Sequence, residues 1–219
     1  RGFGRVVVLT ALLGALPAVA AMPTWKGSGT LTSSTTTCTP AMPTGGAAPA
    51  AGDIMLMVVE SENQTISLTT ANGFVAVTNS PQGAGTAGTH PANRIAVFWK
   101  RAVGGDTAPL VAAPGNHSSC QIHVFAGVKT SDPPWNVSAG GTDTGANDTS
   151  AEIPGETTTA ADCLVVLVQG NSFDGNTGAQ CSGESNASLA TLTERTDATH
   201  NKGVGGGHLP EDLRIVHDG

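Results

Sequence analysis

The chain has 219 residues and a formal net charge of −7, and its only basic cluster is Lys100-Arg101, which excludes the Lys/Arg-rich surface that nucleic acid requires. Charged residues make up 12% of the sequence against a usual quarter, while 29 residues are glycine, so the surface is neutral and hydroxyl-rich. The length suffices for a single domain with a substantial core.

In chain order, residues 1–21 come first. Arg1 to Arg5 is basic, Val6 to Leu16 is apolar, and Pro17-Ala18-Val19-Ala20-Ala21 supplies small residues, the pattern of a secretory signal. The run falls short of the ~20 apolar residues of a spanning helix, so no membrane span is expected. The alternative is a translated upstream segment, with Met22 as the start.

Residues 22–50 are rich in Thr, Ser, Pro and Gly, and the run Thr32 to Thr37 reads either as an edge strand or as a linker. From residue 51 to 208 the pattern is that of an all-β sandwich or barrel, read as one β-sandwich domain. Strands are predicted at Ile54–Val59, Phe74–Thr78, Arg94–Val103, Cys120–Val128, Cys163–Gln169 and Leu189–Glu194, each bounded by turn-forming residues, with no convincing helix. The unbroken apolar run Ile54 to Val59 predicts a central strand covered on both faces, and Cys163 to Val168, of the same character, is placed beside it.

Gly104-Gly105-Asp106 predicts a tight turn, after which Thr107 to Ala112 returns as the second arm of a hairpin. The alternation from Cys120 to Phe125 places His123 on the more polar face of its strand. Pro133 and Pro134 exclude a central strand there, and Trp135 is expected to tuck against the sandwich. Residues 138–150 read as surface loop, and residues 209–219 as an atypical, more charged tail without a turn-strand pattern. The predicted core is Ile54, Leu56, Val58, Val97, Trp99, Ile122, Val124, Leu164, Val166 and Leu192.

Cys38, Cys120, Cys163 and Cys181 allow two bridges in three pairings, or serve as small buried apolar residues; no C-x-x-C spacing marks a zinc or redox site. No catalytic residue is assigned, because G-x-S-x-G, H-E-x-x-H and the P-loop are all absent. Acidic residues fall mainly at strand ends and in loops, where solvation accounts for them.

Weak metal candidates are Asp174 and Asn176, spaced as in a calcium loop but also as in a plain Asx turn, and Asp197 with His200 and His208. Trp25 and Trp135 are candidate ligand-binding residues, since sugars stack on exposed aromatic rings. No cofactor is expected.

Several segments carry a resemblance. Met22-Pro23-Thr24-Trp25-Lys26-Gly27, Ala51-Gly52-Asp53-Ile54, Val97-Phe98-Trp99-Lys100-Arg101, His123-Val124-Phe125-Ala126-Gly127-Val128, Pro134-Trp135-Asn136-Val137 and Leu192-Thr193-Glu194-Arg195 to Gly205-Gly206-Gly207 resemble an uncharacterised family of phage and prophage proteins. The resemblance runs from Met22 to about His208, and its motifs are structural. It implies a non-enzymatic virion structural or surface-attachment protein, located on the virion, with other virion proteins or a host-surface glycan as partners and room for a homo-oligomer. The expected fold is a single-domain antiparallel β-sandwich, jelly-roll-like. The alternative is a secreted carbohydrate-binding or adhesive module, with residues 1–21 as its signal.

Overall fold

The computed structural model describes residues 22–89, 92–112, 117–143, 152–170, 183, 185–189, 192–199, 208–209 and 214–217; the expected leader, residues 1–21, lies outside them. Strands in chain order are Thr24–Ser28 (β1), Thr32–Ser34 (β2), Thr37–Cys38 (β3), Ile54–Ser61 (β4), Ser67–Thr70 (β5), Val75–Ala76 (β6), Gln82–Ala84 (β7) and Asn93–Arg101 (β8). They continue with Leu110–Ala112 (β9), Ser118–Ala126 (β10), Leu164–Leu167 (β11), Leu192–Glu194 (β12), Ala198–Thr199 (β13), His208–Leu209 (β14) and Arg214–His217 (β15). Among the described residues the only helical turn is a short 3-10 segment, Gly45–Ala47. The protein is all-β and antiparallel.

The larger sheet has seven strands on the path β1-β10-β4-β8-β6, with β2 also on β10 and β7 also on β8. The smaller sheet is β3-β9-β5. Register explains how they pack. Met55, Met57 and Val59 lie directly opposite Val124, Ile122 and Cys120 on one side, and Met57 and Val59 opposite Phe98 and Ala96 on the other. Side chains directly opposite share a face, so these residues form one apolar floor. Cys38 and Val111 of the smaller sheet are buried in the same cluster, and half-buried Leu68 packs against it.

The opposite face is covered too. There Ile54 and Phe125 are buried against Trp25, Leu56, Trp99, Leu164, Val166 and Val168. A strand covered on both faces needs apolar residues at successive positions, which is why Ile54 to Val59 reads as an unbroken run. Of the predicted core, Ile54, Val58, Ile122 and Val124 are buried, whereas Leu56, Val97, Trp99, Leu164, Val166 and Leu192 are half-buried; none is exposed.

Several expectations are corrected. β11 does not lie beside β4, because β10 and β8 already occupy both of its edges; it packs across the Ile54 and Phe125 face instead. Thr107 to Ala112 is not a hairpin arm, since the edges of β8 are taken by β4 and by β6 and β7, and β9 joins the smaller sheet. His123 is fully buried, because the face it occupies is covered. The Lys100-Arg101 end is tied down by ion pairs to Asp106 at 2.6 Å and Asp132 at 2.8 Å. Residues 214–217 of the tail, read as lacking a strand, form β15, which pairs with β11 and β12. Trp135, as expected, tucks in, meeting Trp99 edge-on at 5.4 Å.

Irregular chain flanks the larger sheet beside β1 and at the turn between β6 and β7. A Cβ on Gly29 would collide with the Ala41 carbonyl, and Lys26 grips Asp53 and the Ala48 carbonyl, which holds residues 41–53 beside β1. At the far edge, Asn79 donates to the Ser138 carbonyl and Gly140 leaves no room beside Gln82, so residues 138–140 cover the turn between β6 and β7. Covering an edge with a loop is one way of suppressing sheet-to-sheet aggregation.

Of the two bridges that four cysteines allow, one is made among the described residues, outside which Cys181 lies. Cys38 of the smaller sheet bridges Cys120 of the larger across 82 positions of sequence, and Cys163 is free.

Replacing Ile122 by Ala, in the floor shared by both sheets, is expected to cost about 2–5 kcal/mol. Leu192→Ala, at a half-buried site, is expected to cost less. Urea unfolding of both variants checks the ranking, and equal losses would contradict the placement of the core.

Asp106 gives a pH signature. Burial alone would raise its pKa, but the Lys100 ammonium and the Val103 and Gly104 amides outweigh it and hold the carboxyl below its ordinary 3.8. A lowered folded-state pKa contributes stability that is complete above the unfolded value and lost as pH falls through the folded one. The stability gap between the parent and Asp106→Asn is therefore expected to be constant near neutrality and to shrink below about pH 4. A gap that widens on acidification, measured by unfolding at several pH values, would contradict the assignment.

Candidate functional site

The residues singled out in the sequence are widely placed. Asp174, Asn176 and His200 lie outside the described residues. β13 pairs with β14 so that Thr199 faces His208, bringing the backbone of His208 close to the segment that carries half-buried Asp197. Trp25 is half-buried in the Ile54 cluster, with the Arg195 guanidinium 5.2 Å from its ring centre. Trp135 is half-buried against Trp99. All three tryptophans are therefore engaged in packing rather than laid out as a flat exposed platform.

A different group of side chains holds the chemistry. On the covered face of the larger sheet, Glu60, Glu62, His117, Ser119, Gln121 and His123 are each at most 4% exposed. Ser119 lies directly opposite Glu60, which lies directly opposite Ile95, so three strands contribute to one row. The Nε2 of His117 is 3.1 Å from Oε1 of Glu60, and the Asn93 amide donates to the same oxygen at 3.2 Å. Further along β10, Gln121 donates to the Gly29 carbonyl at 2.7 Å and to the Ser28 hydroxyl at 3.2 Å. The segment after β11 closes over this region, where Gly170 lies against Ile95 and Asn93.

Strand geometry puts these groups together. β10 carries Ser119, Gln121 and His123 at every second position, with His117 just before it, and β4 carries Glu60 one residue before its end at Ser61, with Glu62 just beyond. Buried ionisable groups persist only where they are paired or hydrogen-bonded, and here the carboxylate is held by an imidazole and an amide. The result is a hydrogen-bonded tie joining the end of β4, the approach to β10 and the start of β8.

A serine, a histidine and a glutamate are close enough to invite comparison with a nucleophilic triad. Such a triad needs the hydroxyl hydrogen-bonded to the imidazole. Here His117 Nε2 is engaged by Glu60, and Ser119 Oγ makes no hydrogen bond among the described residues. Nor, among the described residues, do three or more His, Cys, Asp or Glu side chains come together in a way that could hold a metal ion.

Sequence reasoning missed this cluster because it took the acidic residues at strand ends to be solvated. The available signal was the period-two series His117, Ser119, Gln121, His123 following a central strand with Glu60 near its end and Glu62 just beyond. Compared with known proteins, the chain matches no family model, no curated protein and no solved structure.

Removing one partner of a buried hydrogen bond leaves the other unsatisfied, at a cost of about 1–3 kcal/mol, whereas replacing both by apolar residues of similar shape can be nearly neutral. Glu60→Ala is thus expected to be destabilising, and Glu60→Met combined with His117→Leu markedly less so. Denaturant unfolding of the parent, single and double variants tests this; a double variant as unstable as the sum of its singles would show that the two side chains act independently.

Proposed function

We propose that this chain is a non-enzymatic structural or surface-attachment protein of a virion, as its resemblance to phage and prophage proteins implies, working with other virion proteins or a host-surface glycan. The observation that carries the reading is the Cys38–Cys120 bridge between the two sheets. Bridges of that kind persist in oxidising surroundings, virion and cell surfaces among them, and are rare in reducing cytosol. Support of a second kind comes from the packing: ionisable side chains on the covered face are used as ties between strands rather than presented to solvent.

We read the two sheets as a jelly-roll-like sandwich. The support is that neighbours along β1-β10-β4-β8-β6 are distant in sequence, as Greek-key connections require.

A secreted carbohydrate-binding or adhesive module shares the disulfide chemistry and so remains the second reading. It ranks lower because sugar platforms need exposed aromatic faces, and Trp25, Trp99 and Trp135 are half-buried and engaged.

Particles banded on a density gradient from a lysate of the source culture, analysed by peptide mass spectrometry, are expected to contain this chain. Peptides confined to the soluble fraction would overturn the virion assignment. Saturable binding on a glycan array, lost in Trp25→Ala or Trp135→Ala, would move the function to the second reading.

A further inference from the structure

The Cys38–Cys120 bridge sits where solution reagents do not reach it, since both residues have zero exposure. Thiol–disulfide exchange requires an attacking thiolate to touch one of the sulfurs. The bond can therefore form or break only when one of its two elements moves.

The two elements differ greatly in how firmly they are held. Cys120 lies in a nine-residue strand bonded to β4 along one side and to β1 and β2 along the other. Cys38 lies in a two-residue strand at the outer edge of the smaller sheet, pairing only through Thr37 with Ala112 and Cys38 with Val111. Around it Thr35, Thr36, Thr37 and Thr39 are all exposed, so Cys38 is the only buried side chain from residue 35 to 39. On either side the chain is anchored again, by Ser34 paired with Ser118 and by buried Pro40.

We propose that residues 35–39 form a redox-controlled strap: oxidised, it is clamped onto the larger sheet by Cys38; reduced, it lifts away, taking β3 off the smaller sheet, while the larger sheet and the β9–β5 pair persist. Closure is an ordinary exchange with a disulfide oxidant, either glutathione disulfide or a protein disulfide. The Cys38 thiolate attacks one oxidant sulfur, giving a mixed disulfide and releasing the first oxidant thiolate. The Cys120 thiolate then attacks Cys38 Sγ, and the second oxidant thiolate leaves. Two electrons pass to the oxidant, and the two thiol protons end on its released thiolates. Opening is the reverse, with a dithiol as reductant. The strap rests on the bridge and its burial alone, so it stands or falls separately from the virion assignment.

The test uses the full chain, oxidised or treated with dithiothreitol, under native conditions. In the reduced protein, subtilisin is expected to cut between residues 34 and 40 about tenfold or more faster, because proteolysis follows the population of the open form. Iodoacetamide should label Cys38 only after reduction, whereas free Cys163 should label in both states as an internal control. The far-UV strand signal should survive reduction. Cys38→Ser should show the fast cleavage with no reductant present. Equal cleavage of the oxidised and reduced chains would overturn the proposal. So would loss of the strand signal on reduction, which would make the bridge a global staple rather than a strap.

Discussion

Coverage of the larger sheet on both faces is the constraint from which the rest of the structure follows. In a half-exposed sheet every second side chain can point to water; in the central strands β4 and β10 neither set does. β4 answers with apolar residues at successive positions from Ile54 to Val59. β10 cannot, because it carries Ser119, Gln121 and His123 on the face opposite Cys120, Ile122 and Val124, and all six are buried. Burying polar groups without partners costs roughly 1–3 kcal/mol each. Hence the ties from Gln121 to Gly29 and Ser28 and from Glu60 to His117 and Asn93: they let a polar face of a strand stay inside.

The second consequence concerns the smaller sheet. Its strands run only two to four residues, too few to form an independent unit, since short strand assemblies are marginal without packing against a further layer. Val111 and Leu68 supply that packing through the floor of Met55, Met57 and Val59. The Cys38–Cys120 bridge adds a covalent link across 82 positions, worth about 4–5 kcal/mol in the chain-entropy model. Against a typical domain stability of about 5–15 kcal/mol, a term of that size is a large fraction of the total.

Legibility in the sequence followed the strength of the periodic signal. β4, β8 and β10 were readable within a few residues because long apolar or alternating runs are specific to strands. β5 and β7 were not, since Ser67–Thr70 and Gln82–Ala84 carry almost no apolar signal and are held by pairing with β9 and β8. Which strands are neighbours was also hidden: β8 looked ready to fold back on the Thr107 to Ala112 segment, but β4, β6 and β7 occupy its edges. Local turn chemistry can mark a reversal without choosing the partner. The buried cluster was half legible, with its period-two series present in the sequence and its burial dependent on what covers the face, which no local pattern encodes.

The irregular stretch after β10 bears on what such a scaffold is good for. Arg101 reaches Asp132 and the carbonyls of Lys129 and Ser131, Trp135 meets Trp99, Asn136 bonds Thr159, and Ser138 bonds the Thr78 carbonyl. A loop held at so many points has already lost its conformational freedom on folding. Ordering such a segment at the moment of binding would otherwise cost about 0.5–1.5 kcal/mol for each immobilised side chain. A pinned loop carried on a disulfide-linked sandwich therefore presents a preformed surface, so whatever docks on it is spared most of that ordering cost.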